Sequence, residues 1–289
     1  MGISAKQVKE LRDKTGAGMM DCKKALLEAD GDIEKAIEIL RKKGASVAAK
    51  RAERLANEGM IKTTVMEDGK FGVILEVNCE TDFVAKSEDF LSFVDIVLNS
   101  IVQNKPASLS DLLSSIIDGE EIEKELTATI GKIGEKIEIS RFNIEQDDNI
   151  TLFDYIHHGS KLGVLVKAEK TNGIDSEKLN ELLKDLAMQV AAMRPLYITI
   201  KDVPEDAIEK EKEIYKEVAK KEGKPDKILD KIAEGKMKKF YQEVCLLEQF
   251  FIKDNSKTVK TIVDEFNDVN SSNLCLTKFY RYHLGDEKK

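Results

Sequence analysis

At 289 residues with an apolar share of 42%, the chain is long enough for two to four structural units with ordinary buried cores. Its net charge of −8 opposes nonspecific binding to nucleic acid, and its charged share of 35%, against a usual value of roughly 25%, demands a large solvated surface such as a projecting helical arm. Four scattered cysteines (Cys22, Cys79, Cys245, Cys275) with three histidines exclude a zinc-finger framework, and the absence of a signal-like or membrane-spanning apolar run points to the reducing cytoplasm.

Residues 4 to 44 read as three short helices. Ser4 and Gln7 make a capping box for a helix whose Val8 and Leu11 share a face, and Thr15-Gly16-Ala17-Gly18 ends it. The second begins near Asp21 and sets Cys22, Ala25, Leu26 and Ala29 on one stripe. Asp32 caps the third, where Ile33, Ala36, Ile37 and Leu40 repeat the spacing until Gly44 terminates it. Residues 45 to 59 read as a basic, partly helical linker, with a boundary near 55. The basic clusters Lys42-Lys43, Lys50-Arg51 with Arg54, and Lys236 with Lys238-Lys239 read as solvated faces.

From Met60 the pattern changes to β-branched alternation, interrupted at Asp68-Gly69 and resumed from Phe71 to Asn78, which predicts a hairpin. A helix carrying Phe90, Phe93, Val94, Val97, Leu98 and Ile101 follows and stops before Pro106. A weaker helix spans about 120 to 132, and strand alternation returns between Ile137 and Ile144. The plan then repeats. Gly72-Val73-Ile74-Leu75 is matched by Gly163-Val164-Leu165-Val166, and each is followed by a polar loop, a long amphipathic helix and a proline, Pro106 or Pro195.

Between about 203 and 245, Gly223-Lys224-Pro225 breaks a charge-dense segment into two helices. Ile208, Tyr215 and Val218 face Ile228, Leu229, Ile232, Phe240 and Val244 along a narrow seam, which predicts a protruding antiparallel pair. Val259 to Phe266 and Leu274 to Tyr282 read as a helix and a strand returning to the second unit. The expected class is α+β, divided as 1–55, 56–141, 142–202 with 246–289, and an inserted arm at 203–245.

The chain lacks a G-x-x-x-x-G-K-[ST] phosphate loop, since Gly131 with Gly134 and Gly235-Lys236 have neither its spacing nor its hydroxyl. No Ser or Cys sits in a nucleophile elbow, Lys6 stands where a myristoylation signal after Met1-Gly2 needs Ser or Thr, and Asp147-Asp148 and Glu120-Glu121 read as solvated charges. His157-His158 reads as a packing or surface-contact pair. The unusual feature is Thr81-Asp82-Phe83-Val84-Ala85, where a large aromatic stands among Asp82, Lys86, Ser87 and Glu88. Phe83 has two readings: a hydrophobic staple at the entry of the next helix, or an exposed anchor for a partner's pocket.

Two stretches resemble signatures of the elongation factor Ts family: Val8-Lys9-Glu10-Leu11-Arg12 with Thr15 through Leu26, and Glu76-Val77-Asn78-Cys79-Glu80-Thr81-Asp82-Phe83-Val84-Ala85. Lys132-Ile133-Gly134-Glu135, His158-Gly159 before Gly163-Val164-Leu165, and Glu234-Gly235-Lys236 through Lys239-Phe240 extend the similarity over nearly the whole chain. The resemblance implies a UBA-like three-helix module, a two-part α+β core and a coiled-coil hairpin. It implies a guanine nucleotide exchange factor without covalent chemistry or cofactor, whose partner is elongation factor Tu, GDP-bound or nucleotide-free, with neither nucleic acid nor membrane as partner.

By the same resemblance, Lys9, Arg12, Met19 and Met20 would dock the partner's nucleotide domain. Thr81, Asp82, Phe83 and Val84 would dislocate its Mg²⁺, with Ile133 and Gly134 flanking, and His158 would touch a second surface. Phe250 stands after Gln249 where the family usually has Pro, which leaves the contact of Ile252 unassigned, and contacts of a further C-terminal module found in some members do not transfer. The rival reading is a UBA-like adaptor without exchange activity.

Overall fold

The computed structural model describes residues 3–66 and 69–286. Asp68, expected in the hairpin turn, and Met1-Gly2 lie outside the described residues. Three helices open the chain: α1 (Ala5–Thr15), α2 (Met19–Glu28) and α3 (Ile33–Arg51). The Ser4–Gln7 capping box forms, and the Asp32 side chain accepts from the Lys35 amide, so orphan donors at both helix starts are satisfied. Val8, Leu11, Cys22, Ala25, Leu26, Ala29 and Ala36 close a small core.

Two expectations need correction here. The second helix starts at Met19, with Gly18 as its N-cap, rather than near Asp21. Gly44 does not end the third helix, which continues to Arg51. A Cβ on Gly44 would stand 3.1 Å from the Thr127 carbonyl oxygen, and one on Gly131 would stand 2.9 Å from the Gly44 Cα. Gly44 is a helix-crossing point that lets two backbones approach, and burial there outweighs the helix-weakening tendency of glycine.

The first half of the body contains β1 (Glu58–Met66), β2 (Phe71–Cys79), α4 (Asp82–Ala85), α5 (Glu88–Asn104), α6 (Leu109–Ser114), β3 (Ile116–Ile117), β4 (Glu120–Glu121), α7 (Ile122–Ile133) and β5 (Ile137–Gln146). The second contains β6 (Ile150–Ile156), β7 (Leu162–Glu169), α8 (Ser176–Met193), α9 (Glu205–Lys221), α10 (Leu229–Val244), β8 (Phe250–Phe251), β9 (Asp254–Thr258), α11 (Val259–Asn270) and β10 (Cys275–His283). Strands β1-β2-β5 and β6-β7-β10 form two antiparallel sheets of identical plan, a hairpin whose second strand takes a third strand after a helix. The short α4 and α6, the strand β6 and the two minor hairpins are absent from the sequence expectations.

The central strands are buried on both faces, as strand alternation requires for a layered stack. Val73, Leu75 and Val77 meet Phe90, Phe93, Val94 and Val97 of α5, while Val164 and Val166 meet Leu183, Leu186 and Val190 of α8. The opposite faces of the two sheets pack on each other through Ile61, Ile74, Ile150, Leu152, Leu165 and Tyr282, giving helix, sheet, sheet and helix layers. Fully burying each such side chain contributes about 1.5–3 kcal/mol. The glycines that open the matched strands sit at this interface. A Cβ on Gly72 would lie 2.8 Å from Leu152 Cδ1, and one on Gly163 would lie 2.5 Å from Ile61 Cγ2. Buried Glu76 accepts from Arg141 Nε of the neighbouring strand at 2.8 Å, and the Arg141 guanidinium reaches the other sheet, 4.1 Å from the Tyr282 ring centre.

Helices α9 and α10 pair along a seam narrower than its apolar spacing suggests. Ala219, Ala233 and Met237 are the buried residues, whereas Val218 and Ile228, expected in the seam, are exposed. Small Ala219 permits close approach of the helices and turns its neighbour outward. Both ends of the segment are anchored in the body: Val203 and Cys245 are buried, and the Leu196 and Tyr197 amides donate to the Val244 carbonyl at 2.8 and 3.0 Å.

Candidate functional site

The site begins where β2 leaves the core. Cys79 is its last residue, and burial pushes this thiol up to about 12, so it remains an unreactive protonated group. Glu80 follows and gathers three segments: Arg51 and Arg54 donate to its two oxygens at 2.9 Å each, and the Lys136 amide donates at 2.6 Å. Burial works to raise this carboxyl, but the Lys136 amide with Arg54 and Arg51 outweighs it and holds the group at about 2. Arg51 is therefore a half-buried pairing group, a correction to its reading as part of a solvated basic face, while Arg54 pairs and stays exposed as expected.

Thr81 caps the single-turn helix α4, its Oγ1 accepting from the Val84 amide. Glu135 accepts from the Thr81 amide at 3.1 Å and from Thr81 Oγ1 at 2.9 Å. That carboxylate is delivered by Gly134, which ends α7 in the left-handed region at φ +78. A Cβ there would meet nothing within 4 Å, so the backbone angle and not lack of space favours glycine at this position.

On this mount Phe83 is 83% exposed. A staple buries its aromatic, so the staple reading of Phe83 is overturned by this exposure. Asp82 precedes it, and Lys86, hydrogen-bonded to it at 2.8 Å, holds that carboxyl below the usual carboxylate range. Val84 turns inward and packs on the first core together with Ile133. The fold thus brings Thr81, Asp82, Phe83 and Val84 to one place with Ile133 and Gly134.

Lys9 and Arg12 are exposed on α1, opposite buried Val8 and Leu11, and Met19 and Met20 are 57% and 64% exposed at the start of α2. This first part of the chain meets the same end of α7. The Lys132 side chain runs across Gly16, within 2.6 Å of where a Cβ would stand, and pairs with Asp89 of α5 at 2.7 Å. His158 is exposed in the turn between β6 and β7, on the second sheet, and Ile252 is partly exposed in the β8–β9 turn. Gln249, ahead of Phe250, is buried and joined to Gln189 at 3.1 Å.

The glycine decoys hold no phosphate-cradling loop: Gly131 and Gly235 lie inside helices and Gly134 is a helix cap. Among the described residues, no group of three or more His, Cys, Asp or Glu is placed to hold a metal ion, and no helix is long and apolar enough to cross a membrane. Sequence reasoning gave no role to Glu80, Glu135, Arg51 or Arg54. Their partners lie 26 to 56 residues away, so no local spacing announces them.

Fold and site together define an α+β scaffold that presents an exposed aromatic beside a carboxylate on a fixed mount. The chain belongs to the elongation factor Ts family. A family model described as Elongation factor TS matches residues 80–286. Elongation factor Ts of Clostridium botulinum (strain Alaska E43 / Type E3) is 46% identical over 98% of this chain and 93% of its own length. Those of Chloroherpeton thalassium and Nitratiruptor sp. are 47% and 49% identical, over 99% and 100% of this chain and 99% and 96% of their own. This membership places the chain in translation elongation.

Proposed function

We propose that the protein is the exchange factor for elongation factor Tu, promoting GDP release by disturbing the Mg²⁺ and phosphate site of that GTPase. The observation that carries the reading is the exposure of Phe83 on a mount fixed from both sides by Glu80 and Glu135. An exposed aromatic that has no rotamer-rich support to order loses little entropy when it fills a pocket, which suits it to act as an anchor. Asp82 places a negative charge beside it, where it would compete for the partner's Mg²⁺ environment.

In this reading Lys9, Arg12, Met19 and Met20 dock the nucleotide domain from a UBA-like module, Ile133 and Gly134 flank the wedge, and His158 meets a second surface. Helices α9 and α10 form the coiled-coil arm. A factor of this kind binds the nucleotide-free partner more tightly than the nucleotide-bound one, and linkage makes that antagonism mutual. A coupling of about 4 kcal/mol would weaken nucleotide affinity about a thousandfold. The Mg²⁺ and phosphates are the partner's, so the chain itself brings no cofactor to the exchange.

Release of fluorescently labelled GDP from purified elongation factor Tu, chased with excess GDP, tests the proposal. The expected result is acceleration that saturates with added protein. Binding to elongation factor Tu with unchanged release would instead make the chain an adaptor.

A further inference from the structure

Beyond the residues that would touch the partner, we infer that Glu135 is a positioning residue for exchange, holding the one-turn helix α4 so that Phe83 projects in a single direction. The inference rests on the wedge reading of Phe83.

A helix of four residues cannot sustain itself, because nucleation fixes several dihedrals for very few hydrogen bonds. Its orientation must come from what holds its ends. At Thr81 every polar group is engaged. The amide and Oγ1 both donate to the Glu135 carboxylate, Oγ1 also accepts from the Val84 amide, and the carbonyl accepts from Cys79 Sγ at 3.2 Å and from the Ala85 amide at 3.2 Å. Glu135 is the one member of this set from outside the segment 79–85. It reaches across from the end of α7 and fixes the Thr81 rotamer in the capping position.

Without that carboxylate Oγ1 is free to rotate, the cap is lost for part of the time, and Phe83, two residues on, samples several directions. Docking through the N-terminal helices would be untouched, because Lys9, Arg12, Met19 and Met20 lie on other elements. The signature of positioning is therefore a slower exchange step at unchanged apparent affinity.

The test compares stimulated release of labelled GDP from elongation factor Tu by wild type, Glu135→Ala, Glu135→Gln and Phe83→Ala, with a melting curve for each. Glu135→Ala should lower the saturating rate about tenfold, with the half-saturating concentration within about twofold of wild type. Glu135→Gln, whose amide oxygen still accepts from Thr81, should recover much of the loss. A folded Glu135→Ala with the wild-type saturating rate, beside a slow Phe83→Ala, overturns this inference and leaves the wedge intact. A wild-type rate in Phe83→Ala removes the wedge reading itself.

If Glu135→Ala does not fold, Thr81→Val, which removes the hydroxyl that donates to Glu135, is measured in its place. A lowered saturating rate at an unchanged half-saturating concentration supports the clamp, and a wild-type saturating rate in the folded variant contradicts it.

Discussion

The two halves of the body share hairpin, long helix and third strand, and they differ at the step from central strand to helix. In the first half β2 leads into Glu80–Ser87, which builds α4 and turns Phe83 outward. In the second half β7 leads into Lys170-Thr171-Asn172-Gly173, a tight turn in which Lys170 and Gly173 adopt positive φ. Thr171 there is buried and hydrogen-bonded to Thr151 at 2.7 Å. One connection is fastened inward and the other is built to project. The halves also differ between the long helix and the third strand, where the first inserts α6, β3, β4 and α7 and the second inserts α9, α10, β8, β9 and α11. In the proposed reading the shared plan supplies rigidity and the departures carry recognition.

Substitutions can break this comparison by acting on one side of it. The largest effect is expected where the halves meet. Glu76→Ala removes the carboxylate that Arg141 pairs with in the buried layer, and breaking a buried pair from one side costs about 3–5 kcal/mol. Chemical denaturation should report that loss, and exchange by the fraction still folded should remain near wild type.

Next comes Glu80→Gln, which removes the carboxylate charge and one of the two oxygens that accept from Arg51 and Arg54, and should cost about 2 kcal/mol. The folded carboxyl titrates at about 2, below its ordinary value of 4.5, so its contribution is complete above 4.5 and is lost as pH falls from 4.5 toward 2. The melting temperature of the wild type should therefore fall more steeply over that interval than that of Glu80→Gln. Parallel curves would show that the carboxylate does not link the N-terminal helices to the mount.

The smallest effect is expected at the arm. Because Val203 and Cys245 are anchored in the body, replacing only 206–241 with a short Gly/Ser linker should preserve the thermal transition. Exchange should fall about threefold, as for a peripheral contact worth under about 1 kcal/mol. Loss of the thermal transition would make the arm part of the core.

Much of the architecture was legible because apolar period reports burial. The stripe Cys22, Ala25, Leu26 and Ala29 is buried, and so is the stripe Phe90, Phe93, Val94, Val97, Leu98 and Ile101. Gly44 reads as a helix end in sequence because glycine ends helices and also lets them cross, and only its distant neighbour Gly131 distinguishes the two. Val218 misled for a related reason: the seam took the smaller Ala219 beside it. At the site the sequence brought Phe83 into view as an aromatic in a polar setting, but its direction depended on Thr81 and Glu135, 54 residues apart.

The central claim, that the projecting connection of the first half performs exchange while the shared plan holds it, is tested most directly at Phe83. The measurement is the saturating rate of labelled GDP release from elongation factor Tu with Phe83→Ala, alongside its melting temperature. An interface aromatic is worth about 2 kcal/mol or more, so release should slow about thirtyfold. The melting temperature should stay within about a degree or two, because the side chain is exposed before binding. Wild-type release by the folded variant, or unfolding of the variant, would contradict the account.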